Sequence, residues 1–154
     1  MIDNFHIIAF THRNLELNDI GLLHIEQDRQ EERLQHLINS LELDELMFLS
    51  TCNRVEFLFC TEKEVDFHFI IRFFETLYPH FSREQIGHYG HRGDQFKGSS
   101  AVQHMLSVAS SIDSMVVGER EIITQVRNAF DEMLDDTGGL RGNIPASATV
   151  NHSL

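Results

Sequence analysis

Three short apolar runs dominate the first part of the chain. Their β-branched and aromatic side chains predict strands at Phe5–Phe10, Leu46–Ser50 and Val55–Cys60. Only residues 51–54 separate the second run from the third, which is the length of a hairpin loop. The pattern therefore predicts one strand that is followed, after an interval, by a β-hairpin.

Helical periodicity fills the intervals between these strands. Apolar residues recur at helical spacing within the charged stretch Glu26–Leu43 and again within Val65–Tyr78, which Pro79 follows. A fourth, short strand is predicted at Ile86–Gly90. The resulting order β-α-β-β-α-β is the split β-α-β pattern of a ferredoxin-like sandwich, so we expect an α+β fold.

The pattern becomes helical from Ser99 onward and loses its periodicity near the C-terminus. Two apolar stripes predict helices over Ala101–Val108 and Ile122–Met133. Gly and Pro then interrupt the segment Gly138–Ser147, for which we expect mobility. The sequence thus predicts a ferredoxin-like part, a helical part and a mobile tail, at residues 1–95, 96–136 and 137–154.

Length and composition favour a single globular domain. The chain has 154 residues, of which 42% are hydrophobic and 23% charged, and this balance is ordinary for a folded soluble protein. No apolar stretch is long enough to cross a bilayer, and the N-terminus carries no basic, signal-like segment. We therefore expect a cytoplasmic protein that makes no membrane contact.

Acidic residues outnumber basic residues by two to one. The chain carries 12 Lys and Arg against 24 Asp and Glu, which gives a formal net charge of −12. A field of this sign repels a bulk polyanion such as duplex DNA. Any contact with nucleic acid must therefore be local.

The strongest candidate for a reactive group is the thiol of Cys52, in the predicted hairpin loop. Arg54 follows it closely, and a neighbouring guanidinium favours the thiolate, which is the nucleophilic form. A loop cysteine can equally be a packed residue, and both interpretations stay open on this pattern. Cys60 lies within a predicted strand and is expected to be packed and inert. Arg54 itself can bind a carboxylate bidentately or form a surface pair with Glu56.

Histidines are a second group of candidates. His104 lies on the first predicted C-terminal helix, either as an ordinary boundary residue or as a proton donor and acceptor. A group of three histidines and one acid matches no zinc template in its spacing, so we predict no metal site at His80, His88, His91 and Asp94. No strand-Gly-x-Gly-x-x-Gly-helix unit occurs, so no dinucleotide-binding domain is expected in these residues.

Three segments carry a recognisable pattern. They are Ala9–His12, Ser50–Glu56 (STCNRVE) and Ala101–Gln125 (AVQHMLSVASSIDSMVVGEREIITQ). In this order they resemble the N-terminal catalytic domain of glutamyl-tRNA reductase. Arg120 and Glu121 depart from the family pattern, which has Pro and Gln at these two positions.

The resemblance implies a two-step reaction. The thiolate of Cys52 would attack the ester that joins glutamate to the tRNA 3′ end, forming a thioester. NADPH, bound elsewhere in the full-length enzyme, would reduce this thioester to glutamate-1-semialdehyde for tetrapyrrole (porphyrin) biosynthesis. The resemblance also implies that His104 assists proton transfer and that Arg54 holds a carboxylate of glutamate. The remaining implied substrate-binding positions are Thr51, Asn53, Ser114, Glu119, Arg120, Glu121 and Gln125.

The resemblance covers one part of a longer enzyme. Members of the family continue into an NADPH-binding domain and a helical dimerisation domain, and we expect neither within this chain. The implied partners are glutamyl-tRNA(Glu), the NADPH domain of the same protein and, in the full-length homodimer, a second copy. Alone, the chain is expected to form the thioester and to hydrolyse it slowly. The alternative is a non-catalytic ferredoxin-like module that binds RNA, an effector or a partner domain, and the reactivity of the thiol would distinguish the two.

Overall fold

The computed structural model describes residues 2–113 and 147–151, with side chains for residues 3–110. Within these residues, five strands and five helices follow a 3-10 turn at Ile2–Asn4. The strands are β1 (Phe5–Thr11), β2 (Glu45–Thr51), β3 (Arg54–Cys60), β4 (Asp94–Lys97) and β5 (Ser147–Asn151). The helices are α1 (Leu17–Leu22), α2 (Gln27–Leu41), α3 (Phe67–Leu77), α4 (Arg83–Arg92) and α5 (Ser99–Asp113).

The strands form one sheet in the order β4-β1-β3-β2-β5. The pairs β4-β1, β1-β3 and β3-β2 are antiparallel, and β2 and β3 are the two arms of a hairpin. β5 adds to the outer side of β2 as a parallel strand. This mixture of an antiparallel sheet with separate helices confirms the α+β class.

Helices cover both faces of the sheet. On one face, α1 to α4 enclose a largely aromatic core that includes Phe10, Phe57 and Phe74. On the other face, α5 packs Met105 and its apolar neighbours against Leu58 and the adjoining strand positions. Every position of β1 is buried for this reason, so the strand lacks the alternation of a half-exposed sheet. Among the described residues, no helix combines the length and the apolar character that crossing a membrane requires.

Most of the predicted elements are confirmed, but the fourth strand is wrong. β1, β2, β3, α2 and α3 lie where the hydrophobic periodicity predicts them. Ile86–Gly90, predicted as a strand, belongs to α4 instead. Ser82 starts this helix with a capping box, because its Oγ accepts from the Gln85 amide while Gln85 Oε1 accepts from the Ser82 amide. The fourth strand is β4, a mostly exposed edge of the sheet.

The C-terminal segment also departs from expectation. The sequence predicts a mobile tail over residues 137–154, yet Ser147–Asn151 form β5, aligned with Leu46–Ser50 of β2. Without β5, this side of β2 would be a sheet edge with open backbone donors and acceptors, and a parallel strand pairs them. The second predicted helix, Ile122–Met133, lies outside the described residues.

The link between β4 and α5 sets the position of α5 over the sheet. Gly98 has φ of 62°, a left-handed conformation that favours glycine, and its amide donates to the Phe5 carbonyl at 2.9 Å. Ser100 Oγ accepts from the Lys97 amide at 3.2 Å and donates to the Lys97 carbonyl at 2.8 Å. The helix begins where the sequence predicts it, and these bonds fix its start against the strand before it.

Candidate active site

The hairpin between β2 and β3 presents Cys52 at one end of the sheet. Thr51 ends β2 and pairs with Arg54, which begins β3, so Cys52 and Asn53 form a two-residue turn. The Thr51 hydroxyl donates to Asn53 Oδ1 at 3.2 Å across this turn. The side chain of Cys52 is exposed. The thiol therefore lies in a solvent-accessible hairpin turn, at the position that the sequence predicts for it.

The first motif segment lies at the same end of the sheet. β1 runs antiparallel to β3 and brings Thr11 opposite Arg54. The chain turns back directly after Thr11, where Asn14 Oδ1 accepts from the Thr11 amide and Asn14 Nδ2 donates to the Ala9 carbonyl, both at 3.0 Å. His12 is exposed on this turn. Two of the three motif segments are therefore adjacent in space.

Arg54 forms an ion pair with Glu56, two residues further along β3. Its Nη1 atom donates to Glu56 Oε2 at 2.6 Å. The Glu56 side chain has no exposed surface, whereas 26% of the Arg54 side chain is exposed. The pairing with Glu56 considered from the sequence therefore exists, but its carboxylate is buried and its guanidinium is only partly exposed.

His104 of α5 binds the other oxygen of the same carboxylate. Its Nε2 atom lies 2.6 Å from Glu56 Oε1. The imidazole stacks on Phe96 of β4, with ring centroids 4.0 Å apart and an angle of 14° between the planes. A carboxylate in its ionised form only accepts hydrogen bonds, so in that form the donor is the Nε2–H group of the imidazole.

Arg54, Glu56 and His104 form one hydrogen-bonded group. Arg54 keeps further donors beside Nη1, because a guanidinium has five N–H groups, and His104 keeps its second ring nitrogen, Nδ1. Within the described residues, the bonds of Arg54 and His104 run to Glu56, and none joins either side chain to Cys52. An exposed thiol in the hairpin turn, and a guanidinium and an imidazole that share one carboxylate on the adjoining strand, are the kinds of groups that thiol-based acyl transfer uses.

The remaining site residues predicted from the sequence fall into two groups. Thr51 and Asn53 flank Cys52 in the hairpin. The others lie outside the described residues, and their contacts with a substrate stay predictions: Ser114, Glu119, Arg120, Glu121 and Gln125.

Glu56 is the site residue that sequence reasoning missed. The sequence analysis considers Glu56 only as a surface partner of Arg54, yet the exposed fraction of Glu56 is 0%. Its neighbours Val55 and Phe57 are buried as well, because helices cover both faces of the sheet. The available signal was an acidic residue inside an otherwise apolar strand, since Glu is almost never fully buried unless it is paired.

Cys60 is a buried thiol at the opposite end of β3 from the hairpin. Burial, with a smaller contribution from the carboxylates of Glu45 and Asp44, raises the pKa of Cys60 to about 12. The thiol is therefore protonated at neutral pH, and the expectation that Cys60 is packed is confirmed.

The histidines considered for zinc each contact a different group. His88 Nε2 lies 3.2 Å from Asp19 Oδ2, His91 stacks on Phe67, and His80 packs edge-on against core aromatic rings. Across the part of the chain that the structure describes, no group of three or more His, Cys, Asp or Glu side chains comes together as a metal site requires.

The sequence is similar to those of known proteins. The family model "Glutamyl-tRNAGlu reductase, N-terminal domain" matches residues 8–141. A glutamyl-tRNA reductase from Campylobacter concisus is 37% identical over 132 residues, which cover 84% of this chain and 30% of the relative. A glutamyl-tRNA reductase from Syntrophobacter fumaroxidans is 42% identical over 106 residues, which cover 68% of this chain and 22% of the relative.

A solved structure is similar as well. Glutamyl-tRNA reductase from Methanopyrus kandleri matches with a TM-score of 0.52 and 26% sequence identity, over 84% of this chain and 28% of that one. The chain thus spans less than a third of the length of each of these three relatives.

Proposed function

The chain belongs to the glutamyl-tRNA reductase family, as its N-terminal domain, and from this premise we propose that it performs the first chemical step on glutamyl-tRNA. One observation carries the proposal. Arg54 and His104, to which the family resemblance assigns site roles, bind a single buried carboxylate, and Arg54 lies two residues from Cys52. Two groups from different motif segments thus share one carboxylate on β3, the strand that follows the hairpin of Cys52.

Cys52 is the proposed nucleophile. Its sulfur attacks the carbonyl carbon of the ester that joins glutamate to the terminal ribose of the tRNA. A C–S bond forms, the ester C–O bond breaks, and the tRNA leaves with its ribose hydroxyl protonated. The exposed position of Cys52 in a two-residue turn supports this role, because the bulky end of a tRNA must reach the sulfur.

His104 is the proposed group for proton transfer. Its Nε2 faces Glu56, so Nδ1 is the ring nitrogen available to accept the proton of the thiol and return it to the departing ribose oxygen. A side chain that acts first as a base and then as an acid serves both halves of the acyl transfer. The partial exposure of His104, 18% of the side chain, leaves room for a substrate to approach.

Arg54 is assigned to a carboxylate of the glutamyl group. One guanidinium nitrogen binds Glu56, and the remaining donors can hold a second carboxylate through parallel hydrogen bonds. Thr51 and Asn53 add a hydroxyl and an amide beside the thiol. Glu119 is proposed to face the α-ammonium of glutamate, and the other substrate contacts are proposed at Ser114, Arg120, Glu121 and Gln125.

We assign reduction of the thioester to another part of the whole protein. NADPH-binding domains use a parallel sheet with a glycine-rich turn from strand to helix. The strands β1 to β4 are antiparallel, and the sequence lacks that turn, so the described residues do not fit NADPH. For the whole protein we propose a cytoplasmic, homodimeric, NADPH-dependent reductase that produces glutamate-1-semialdehyde for tetrapyrrole biosynthesis.

A ferredoxin-like arrangement is proposed for the first part of the domain. The strand order β4-β1-β3-β2 and the split β-α-β connections support it. We propose the division at residue 95, with a ferredoxin-like part over residues 1–95 and a helical part over residues 96–136. The helical part then begins with α5.

Incubation of the chain with tRNA charged with radiolabelled glutamate tests the proposal. We expect label to attach to the protein through a bond that hydroxylamine cleaves, as a thioester requires. Cys52→Ser should lose the label, and Cys60→Ala, the matched control, should keep it. Absence of label, together with an unchanged half-life of the glutamyl ester, would contradict the proposal and favour the non-catalytic binding module.

A further inference from the structure

We propose that Glu56 is a positioning residue, which holds the Arg54 guanidinium and the His104 imidazole in one fixed relative orientation. This inference rests on the proposed function, and it gives a role to a residue that takes no direct part in the proposed bond-making and bond-breaking steps. Glu56 acts through its two partners and not on the reacting atoms.

The burial of Glu56 argues for such a role. Its side chain is 0% exposed, and a carboxylate is costly to remove from water unless its oxygens are paired. Each oxygen accepts one short, charge-assisted hydrogen bond of 2.6 Å, from Arg54 on one side and from His104 on the other. A well-packed apolar residue at such a place usually stabilises a fold at least as well as a buried ion pair. The geometry therefore points to orientation of the two partners.

The backbone of Glu56 lies in the interior of the sheet. β3 is paired on both sides, and Glu56 stands opposite Ala9 of β1 and opposite Leu49 of β2, which are both buried. Arg54 is at the start of the strand, and His104 comes from α5, a separate layer. The carboxylate is thus the common point to which side chains from two layers are attached.

For His104 the consequence is a defined tautomer. In the proposed arrangement Glu56 Oε1 accepts from Nε2–H, so Nδ1 is the ring nitrogen that faces away from the carboxylate. The stacked ring of Phe96 restricts rotation of the imidazole about its side-chain bonds. A carboxylate that fixes the tautomer and the plane of a histidine in this way readies the opposite nitrogen for proton transfer.

The first experiment measures the tautomer directly. In ¹⁵N spectra of the imidazole groups, we expect His104 of the unchanged chain to carry its proton on Nε2. Glu56→Gln should replace this state by a mixture of tautomers, since an amide is a weaker acceptor and can place its NH₂ group toward the ring. Glu42→Gln is the matched control, because Glu42 is 76% exposed and pairs with Lys63 at 3.4 Å on the surface. It should leave the signals of His104 unchanged.

The second experiment measures single-turnover transfer of glutamate from glutamyl-tRNA to the chain. We expect Glu56→Gln to lower the rate constant by about 10- to 100-fold, by analogy with the loss of a carboxylate that orients a metal-binding histidine. It should also raise the concentration needed for half-saturation, since Arg54 loses its fixed direction. Amide spectra that match those of the unchanged chain show that the fold is intact.

Glu56→Asp separates orientation from charge. It keeps the negative charge but shortens the side chain by one methylene, so the carboxylate can no longer reach both partners. A positioning role predicts a rate loss of about tenfold or more, whereas a purely structural counter-charge predicts the rate of the unchanged chain. If Glu56→Gln does not fold, the tautomer and the rate of Glu56→Asp decide the matter.

The outcomes for the two proposals are distinct. Unchanged tautomer and rate in the Glu56 variants, with normal labelling of Cys52, would overturn the positioning role and leave the proposed function in place. Absence of labelling in the unchanged chain, with the expected change of tautomer in Glu56→Gln, would overturn the proposed function while confirming that Glu56 orients His104.

Discussion

Nε2 of His104 and Oε1 of Glu56 lie 2.6 Å apart, although 48 residues separate the two side chains in sequence. The contact joins α5 to the central strand β3. It depends on the packing of α5 on the sheet, through Ala101 and Met105 among others. The candidate active site is therefore assembled across two layers of the fold and not within the cysteine hairpin alone.

Loss of the Arg54 charge should destabilise the fold. Arg54→Met keeps the apolar length of the side chain but leaves one buried oxygen of Glu56 without its donor, which costs about 1–3 kcal/mol. Urea titration should show this decrease in the free energy of unfolding. Arg13→Met, at an exposed position, should change it by less than about 0.5 kcal/mol. Equal values for the two variants would argue against pairing of Arg54 with the buried carboxylate of Glu56.

Two glycines should respond in opposite directions to alanine. A Cβ at Gly93 would lie 2.9 Å from Ile8 Cγ2 and 3.0 Å from Phe10 Cζ, so Gly93→Ala should lower the free energy of unfolding by about 1–3 kcal/mol. A Cβ at Gly87 would meet no atom within 4 Å, so Gly87→Ala in α4 should raise it by about 0.5–1 kcal/mol through helix propensity. Thermal unfolding measures both, and a stabilised Gly93→Ala would contradict this packing.

Glu45 should make the fold less stable as pH rises. Burial, with a smaller contribution from Asp44, raises the pKa of Glu45 from 4.5 to about 7. The folded state therefore binds more protons than the unfolded state, and the stability present below pH 4.5 is lost as pH rises through about 7. Between pH 4.5 and about 7, the free energy of unfolding of the unchanged chain should fall relative to that of the Glu45→Gln variant. A difference that stays flat with pH, measured by urea titration at each pH, would exclude this linkage.

The two thiols should react very differently in the folded chain. Cys52 is exposed, whereas Cys60 is buried and its pKa is raised to about 12. Iodoacetamide at neutral pH should therefore add one group to the native chain and two groups after unfolding in urea. Cys52→Ser should add none in the native state. Intact-mass spectrometry counts the groups, and rapid double modification of the native chain would show that Cys60 is accessible.

Much of the fold follows from periodicity, and its failures have physical causes. The strand Val55–Cys60 and the helix within Glu26–Leu43 stand out because their apolar positions fit one period. Ile86–Gly90 is too short to reveal its period alone, and the helical signal lies upstream, in the capping pair of Ser82 and Gln85. The pairing of β5 with β2 joins remote segments, so no local pattern predicts it.

The candidate site, like the fold, could be predicted from the sequence only in part. The residue types around Cys52, and the family resemblance for His104, were enough to select the hairpin and α5. The position of Glu56 was not predictable from alternation, because helices cover both faces of the sheet and bury β3 from Val55 to Cys60. Only tertiary packing shows that one carboxylate serves both Arg54 and His104.

Peptide mapping of the chain after reaction with glutamyl-tRNA is the most direct test of the role of Cys52. The reaction is quenched in acid and digested, and the peptide that contains Cys52 is examined by mass spectrometry. We predict a glutamyl group on this peptide, removed by hydroxylamine, present in Cys60→Ala and lost in Cys52→Ser. A glutamyl group on another residue, or an unmodified Cys52 peptide while the ester decays at its spontaneous rate, would contradict the assignment of Cys52 as the nucleophile.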